Sequence, residues 1–273
     1  MKIIKILDKN FNPDLSVSKY QKPQFIKWNF INDIKDIKET DTVIVTDLYL
    51  EKSIDIKCKK IAWLLEPYAI NPIIYEFIKN NYIHFEYVLT HSYDLLNLND
   101  NIKYVPNAMC WIKKSDIKIY KKNKFCSIIA SGKDFTDGHK LRNKIVINKF
   151  NRPIDIYGYK YNPINYKLEG LKSYRFQIVV ENSKINDYFS EKIIDCFVTG
   201  TIPIYYGCER IGKYFDVKGI ITFDTLEELE DIINNLSVKD YENRKNAIKN
   251  NLHIANNYIL AEDWIYKNLQ NIL

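Results

Sequence analysis

No stretch of this 273-residue chain approaches the roughly twenty consecutive apolar residues that a transmembrane helix needs, which predicts a soluble protein. Cysteine is sparse and scattered. The five, Cys58, Cys110, Cys126, Cys196 and Cys208, include no C-x-x-C pair and no Cys/His cluster, so nothing in them suggests a zinc framework. Their odd number argues against a disulfide scaffold, and they read as buried thiols of a reducing, cytoplasmic compartment. The N-terminal M-K-I-I-K-I-L-D-K-N is charged and too short in apolar run to be a signal peptide. No D-x-D motif offers itself to a divalent metal, so no cofactor is expected. Glycine is also scarce, at eight residues, beside abundant lysine and isoleucine, a bias of the kind a skewed genome produces. Lysine and arginine outnumber aspartate and glutamate by 40 to 34, a net +6, which favours anionic partners such as nucleotide phosphates or a membrane surface. The charges are dispersed, with no long basic tract and no nucleic-acid motif, so nucleic acid is not expected as a partner, whereas peripheral membrane contact stays open.

What is present is a globular αβ pattern. Hydrophobic residues make up 46% and aromatics 14%, which excludes a disordered chain. The length suits one large domain or two moderate ones. Strands are predicted over 2–7, 25–30, 42–46, 60–65, 87–90 and 103–105, the clearest being T-V-I-V-T at 42–46. Helices are predicted over 32–39, 71–81 and 93–98, so the first part alternates as a parallel sheet flanked by helices does. Residues 113–124, with a run of lysines and no periodicity, read as a linker. A second βα series then begins: strands at 125–130, 154–157, 176–180, 202–206 and 219–223, and helices at 138–150, 191–199, 225–236, 241–254 and 257–272. The expected organisation is an N-terminal Rossmann-like domain (1–112), the linker, a second Rossmann-like domain (125–256), and a C-terminal helix (257–273) of the sort that packs back on the first domain. The fold class is α/β, with the two domains facing across a cleft.

The stretch from Tyr174 to Gly207 organises the rest. A buried strand leads through a polar loop, Glu181 to Ser190, onto a helix with Ser190 as N-cap and Gly200 just past its end, then into a second strand containing Pro203. Ligands bind in loops at the carboxyl ends of such strands. Lys192 falls in the first turn of that helix, where the macrodipole disfavours a cation. A lysine beside free N–H groups would suit a phosphate or pyrophosphate, whereas alone it would read as a solvated side chain offset by Glu191.

The series E-N-S, Y-x-S-E-K and G-T-I-P-I-Y-Y-G resembles the donor-binding signature of the family 10 glycosyltransferases, the α-1,3/4-fucosyltransferases. Asn182, Tyr188, Glu191, Lys192, Pro203 and Gly207 all stand at the family's spacing. The resemblance implies the GT-B architecture, a GDP-fucose donor as substrate, and donor contacts through Asn182, Tyr188, Glu191 and Lys192. As isolated residues the same four would read as a turn asparagine, a core aromatic, a helix-start acid and a surface lysine. Family members also carry an arginine that reaches the pyrophosphate after a serine-containing loop, and Arg142, in S-G-K-D-F-T-D-G-H-K-L-R-N, is the match. A guanidinium grips phosphate oxygens bidentately. Lys133 is a weaker phosphate candidate in that loop, while His91 and His139 are read as incidental.

The family's catalytic glutamate ends a strand, and here Glu66 follows K-I-A-W-L-L. The family's glycine and asparagine around it are missing. Asp47, also at a strand end, competes for the role of base, and Glu66 could instead serve as an N-terminal carboxylate for the helix after it. The reading is a metal-independent, inverting glycosyltransferase in which Glu66 deprotonates an acceptor hydroxyl of a glycan while Arg142 and Lys192 stabilise the departing diphosphate. A transferase using another nucleotide sugar such as a UDP-hexose, or a non-catalytic glycan- or nucleotide-binding protein on the same scaffold, are the alternatives.

Overall fold

Alternating βα connections cover both faces of a parallel sheet, so its strands are buried on both sides and need near-continuous apolar sequence. The chain's short Val/Ile runs meet that demand. A computed structural model describes residues 1–8 and 16–273, which divide into two units, Met1–Met109 with Leu260–Leu273, and Cys110–Ile259.

In the first unit β1 (Lys2–Leu7), β2 (Ile26–Phe30), β3 (Thr42–Thr46), β4 (Lys59–Trp63), β5 (Tyr87–Thr90) and β6 (Ile102–Tyr104) form one parallel sheet in the order β2-β1-β3-β4-β5-β6. Val43, Ile44 and Val45 at its centre have no exposed surface. Helices α1 (Pro72–Asn81) and α2 (Tyr93–Leu96) lie where apolar spacing predicts helices, and Pro72 opens α1 at a position where its missing N–H costs nothing. The helix expected over 32–39 is only a 3₁₀ turn, Ile34–Asp36, capped by the Asp33 side chain. None of its residues is fully buried, and the partial packing of Ile34 and Ile37 on the core is too little for so short a segment to offset the cost of helix nucleation.

The second unit contains β7 (Lys124–Ile129), α3 (Asp137–Ile147), β8 (Asp155–Tyr157), β9 (Tyr174–Val180), α4 (Glu191–Thr199), β10 (Ile202–Tyr206), β11 (Ile221–Thr222), α5 (Leu226–Asn235), α6 (Val238–Asn243) and α7 (Lys245–Ala255). Its sheet, parallel throughout, runs β11-β10-β9-β7-β8. The strand order reverses between β7 and β9. The connections from these two strands leave toward opposite edges, which opens a crevice at their carboxyl ends. One long helix was expected over 241–254. A break at Arg244 divides the region into α6 and α7, with α6 started early by a capping box between Ser237 and Asp240.

Residues 113–124, expected as a linker, lie inside the second unit. Ile117 and Tyr120 pack on its core, and Lys118 N–H donates to the Val198 carbonyl at 3.0 Å. The Lys122 ammonium is buried and donates to the Thr199 carbonyl at 2.8 Å, the Thr201 hydroxyl at 2.8 Å and the Leu171 carbonyl at 3.1 Å. This lysine caps the electronegative end of α4 rather than facing water.

The last helix, α8 (Ala261–Asn268), belongs to the first unit. Its Glu262 has no exposed surface, and one carboxylate oxygen accepts both the Val17 N–H at 2.8 Å and the Trp28 indole N–H at 3.3 Å. The other oxygen has no partner among the described residues. Burial pushes this carboxyl up to about 7, against the hydrogen bonds that favour its ionised form. The folded chain therefore keeps a proton that the unfolded chain releases, so stability from this group is complete at low pH and is lost as pH rises toward 7. Asp47, also raised to about 7, adds to the same slope. Glu262→Gln should flatten the fall in melting temperature between about pH 5 and pH 8 and leave the variant more stable than the parent at the upper end, by about 2 kcal/mol. A pH series of thermal melts checks this. An unchanged slope would show that Glu262 is ionised throughout.

Candidate functional site

Glu181 follows β9 and continues its ladder, its N–H donating to the Tyr206 carbonyl at 2.8 Å. The residue is fully buried, and its carboxylate accepts the Ser190 N–H at 3.0 Å and hydroxyl at 2.6 Å and pairs with the Lys192 ammonium at 3.3 Å. Ser190 caps α4 as its sequence predicts, receiving the Lys192 N–H, and the Lys192 ammonium bends back to the Ser190 hydroxyl at 2.9 Å. The loop between Glu181 and Ser190 is turned by Asp187, at φ 61°, a left-handed conformation that aspartate tolerates better than most residues. Buried Asp187 is held there by Arg210 and by the Tyr214 hydroxyl at 2.6 Å.

The start of α3 docks on the same loop. Thr136 caps it, accepting the His139 N–H at 3.2 Å, and the Gly138 N–H donates to the Asn182 carbonyl at 3.3 Å. A Cβ on Gly138 would sit 1.8 Å from the Glu181 carbonyl oxygen, so only glycine permits this approach. The docking brings Arg142 to Asn182, whose side-chain oxygen accepts from the guanidinium at 2.8 Å. Arg142 is only 7% exposed, and among the described residues it forms no ion pair and its Nε has no partner. Burial lowers its pKa, offset in part by Glu181 and Glu191 nearby. The Ser183 hydroxyl, next in sequence to Asn182, is a second buried polar atom without a partner. Unsatisfied buried donors of this kind call for an explanation, and a bound ligand is one.

Behind α4 lies an ion network that reading the sequence missed. Lys167 pairs with Glu191 at 3.0 Å and with Asp195 at 3.2 Å, and its ammonium stands 4.3 Å from the centre of the Trp111 ring. Asp195 also accepts the Trp111 N–H at 2.7 Å. Burial would raise the Glu191 pKa, but Lys167 and Lys192 outweigh it and hold the carboxylate ionised. Asp195 is pushed up to about 6, burial being only partly opposed by Lys167. Lysine at 167 lies 24 residues before its partner, and no local spacing could have paired them.

The structure thus brings Arg142, Asn182, Glu191 and Lys192 into one constellation at the switch between β7 and β9. Tyr188 is buried, 1% exposed, and within electrostatic reach of Arg142. His139, read as incidental from sequence, belongs to the constellation too: Lys192, Arg142 and Lys133 all act on its ring. Glu66 stands in the first unit, exposed, in the turn after β4, with its carbonyl accepting the Tyr75 hydroxyl at 2.8 Å. Asp47 is buried and accepts the Leu65 N–H at 3.1 Å. Among the described residues no group of three or more His, Cys, Asp or Glu side chains is placed to hold a metal ion.

Two parallel-sheet units, one presenting cations at its switch point, have the build of the Rossmann-like GT-B glycosyltransferase folds. Residues 119–247, which lie within the second unit, match the family described as glycosyltransferase family 10 (fucosyltransferase) C-term. The chain is 28% identical over 149 residues to the alpha-(1,3)-fucosyltransferase FucT of Helicobacter pylori, a match that covers 54% of this chain and 28% of that protein. The aligned part thus spans well under half the length of this relative. Crystal structures of an alpha1,3-fucosyltransferase superpose with a TM-score of 0.58 at 17% identity, covering 94% of this chain and 90% of theirs. The form with GDP-fucose gives 0.54 at 16% identity, covering 95% and 91%. Anabaena Alr3699/HepE in complex with UDP gives 0.57 at 10% identity, covering 99% and 100%. At these identities the structural likeness is one of fold.

Glu181→Gln keeps the size of the side chain but sets a neutral amide against the Lys192 ammonium. Loss of one partner of a buried ion pair costs about 3 kcal/mol. The melting temperature of the second unit should fall by roughly 5–10 °C. A melt within a degree of the parent would show that the Glu181–Lys192 pair contributes nothing.

Proposed function

We propose that this chain is a glycosyltransferase that moves a sugar, L-fucose from GDP-fucose, onto a hydroxyl of a glycan acceptor, with inversion and without a bound metal. One observation carries the reading. Arg142 is a buried guanidinium with no ion pair and no partner for Nε among the described residues, and it is fixed by Asn182 beside the Lys192-bearing start of α4. Fixed positive groups and helix N–H groups aimed at a departing diphosphate lower the barrier because the charge they meet develops only as the sugar leaves. The family match over this unit and the GDP-fucose complex of a structural neighbour support the choice of donor.

Glu66 is proposed as the base. It takes the proton from the acceptor hydroxyl as that oxygen attacks the anomeric carbon from the face opposite the diphosphate. Asp47 is proposed to hold the turn that carries Glu66, through the Leu65 N–H it accepts. Ionised Glu191 would accept from the donor ribose, and Tyr188 would close the base side of the pocket.

Calorimetric titration with GDP, UDP, ADP and CMP in the presence of a chelator tests the donor site. GDP should bind, and Arg142→Ala and Lys192→Ala should each weaken it by about tenfold or more, the loss of a charge-assisted hydrogen bond. A preference for UDP would replace fucose as the donor sugar, and failure of every nucleotide to bind a folded protein would remove the transferase reading. Turnover separates the two acids. Glu66→Gln should lower kcat by about 10²–10⁴ with GDP affinity unchanged. Asp47→Asn, which keeps an oxygen for the Leu65 N–H, should retain most activity. The reverse pattern would make Asp47 the base.

A further inference from the structure

The mechanism above leaves one buried titratable group of the donor site without a task. His139 is 4% exposed on the first turn of α3. Its Nδ1 lies 2.8 Å from the Thr136 hydroxyl, and the Phe135 ring packs against the imidazole with centroids 4.6 Å apart. Among the described residues no group hydrogen-bonds to Nε2. The charged groups that face the ring are Lys133 and Asp134 from the loop before α3, Arg142 from α3 itself, and Lys192 from α4, three cations against one acid. Because a hydroxyl can donate or accept, Thr136 satisfies Nδ1 whether or not that nitrogen carries a proton. The site can therefore hold either form of the ring without losing a hydrogen bond.

We propose that binding of a nucleotide diphosphate is coupled to protonation of His139, whose imidazolium then joins Arg142 and Lys192 as a third positive group on the diphosphate. The inference rests on the donor-site reading given above. With the site empty, burial together with the neighbouring Arg142, Lys133 and Lys192 holds His139 down at about 4, so it is neutral at physiological pH. A diphosphate placed among the same cations cancels their field and supplies the negative charge that favours the imidazolium. Asp134 acts in this sense on the ring but is outweighed by the three cations, and the buried acids Glu181 and Glu191 are already engaged by Lys192 and Lys167. By linkage, a group whose pKa rises on binding takes up a proton, and affinity increases as pH falls from the bound toward the free value. His139 would thus be a positioning residue for the donor and not a catalytic acid.

The test uses the intact chain and GDP-fucose, with UDP-glucose beside it, because the diphosphate of a nucleotide sugar is a diester that does not titrate near neutrality. Titration calorimetry at about pH 6 in buffers of different ionisation enthalpy gives the number of protons taken up per donor bound. The parent should take up close to one proton, and its affinity should tighten by up to about tenfold per unit as pH falls toward about 5. His139→Gln should bind with little proton uptake and a flat pH profile. Equal uptake by parent and variant overturns the proposal while leaving the donor site standing. Absence of binding by either sugar nucleotide overturns both. A measurement free of substitution guards against a misfolded variant: the chain has four histidines, and one imidazole resonance should move its titration upward by at least one pH unit when donor is added. Four unmoved resonances overturn the proposal.

Discussion

A carboxylate with no access to water at the end of a strand must find donors nearby or be expelled, and Glu181 is such a group. Its demand folds the 181–190 loop back on itself, so that the Ser190 N–H and hydroxyl and the Lys192 ammonium all converge on it. Magnitudes explain the lysine in the first turn of α4. The macrodipole penalises it by about 0.3–1 kcal/mol, whereas leaving a buried carboxylate unpaired costs several kcal/mol. The pair wins, and the cation is delivered to the N-terminal end of α4, where the diphosphate site is proposed.

The same loop is the seat for α3. Contact between Gly138 and the Glu181–Asn182 backbone sets the height of that helix over the sheet, and the height sets Arg142 against Asn182. Three segments far apart in sequence thereby share one reference surface. Lys167 and Trp111 complete it from behind, keeping Glu191 ionised and Asp195 buried. At Arg142 the buried guanidinium leans on the neutral amide of Asn182.

The βα alternation, both central strands and the caps at Ser190 and Gly200 were legible because each is a local matter of burial period or terminal hydrogen bonding. The resemblance singled out Asn182, Glu191 and Lys192, and Arg142 was picked by its place after the first strand of the second series, and the fold gathers these side chains around one loop. Glu181 was not legible as the centre. An acid after a strand looks the same whether it faces water or is buried, and only the tertiary fold decides. The lysine run at 113–124 misled for the complementary reason, since the composition of a linker hid one ammonium that closes the end of α4. His139 was passed over because its importance lies in three cations drawn from separate segments.

Lysines therefore hold α4 at both ends, Lys192 at its start through Glu181 and Lys122 at its finish through the Thr199 carbonyl. Between them Ile193 to Thr199 is buried without interruption. A helix so enclosed cannot fray from either terminus, and its amides are reached by solvent only when the whole unit opens. In hydrogen exchange α4 should thus belong to the slowest class and report the global unfolding free energy of the second unit. The donor site would then be built on the part of the protein that breathes least.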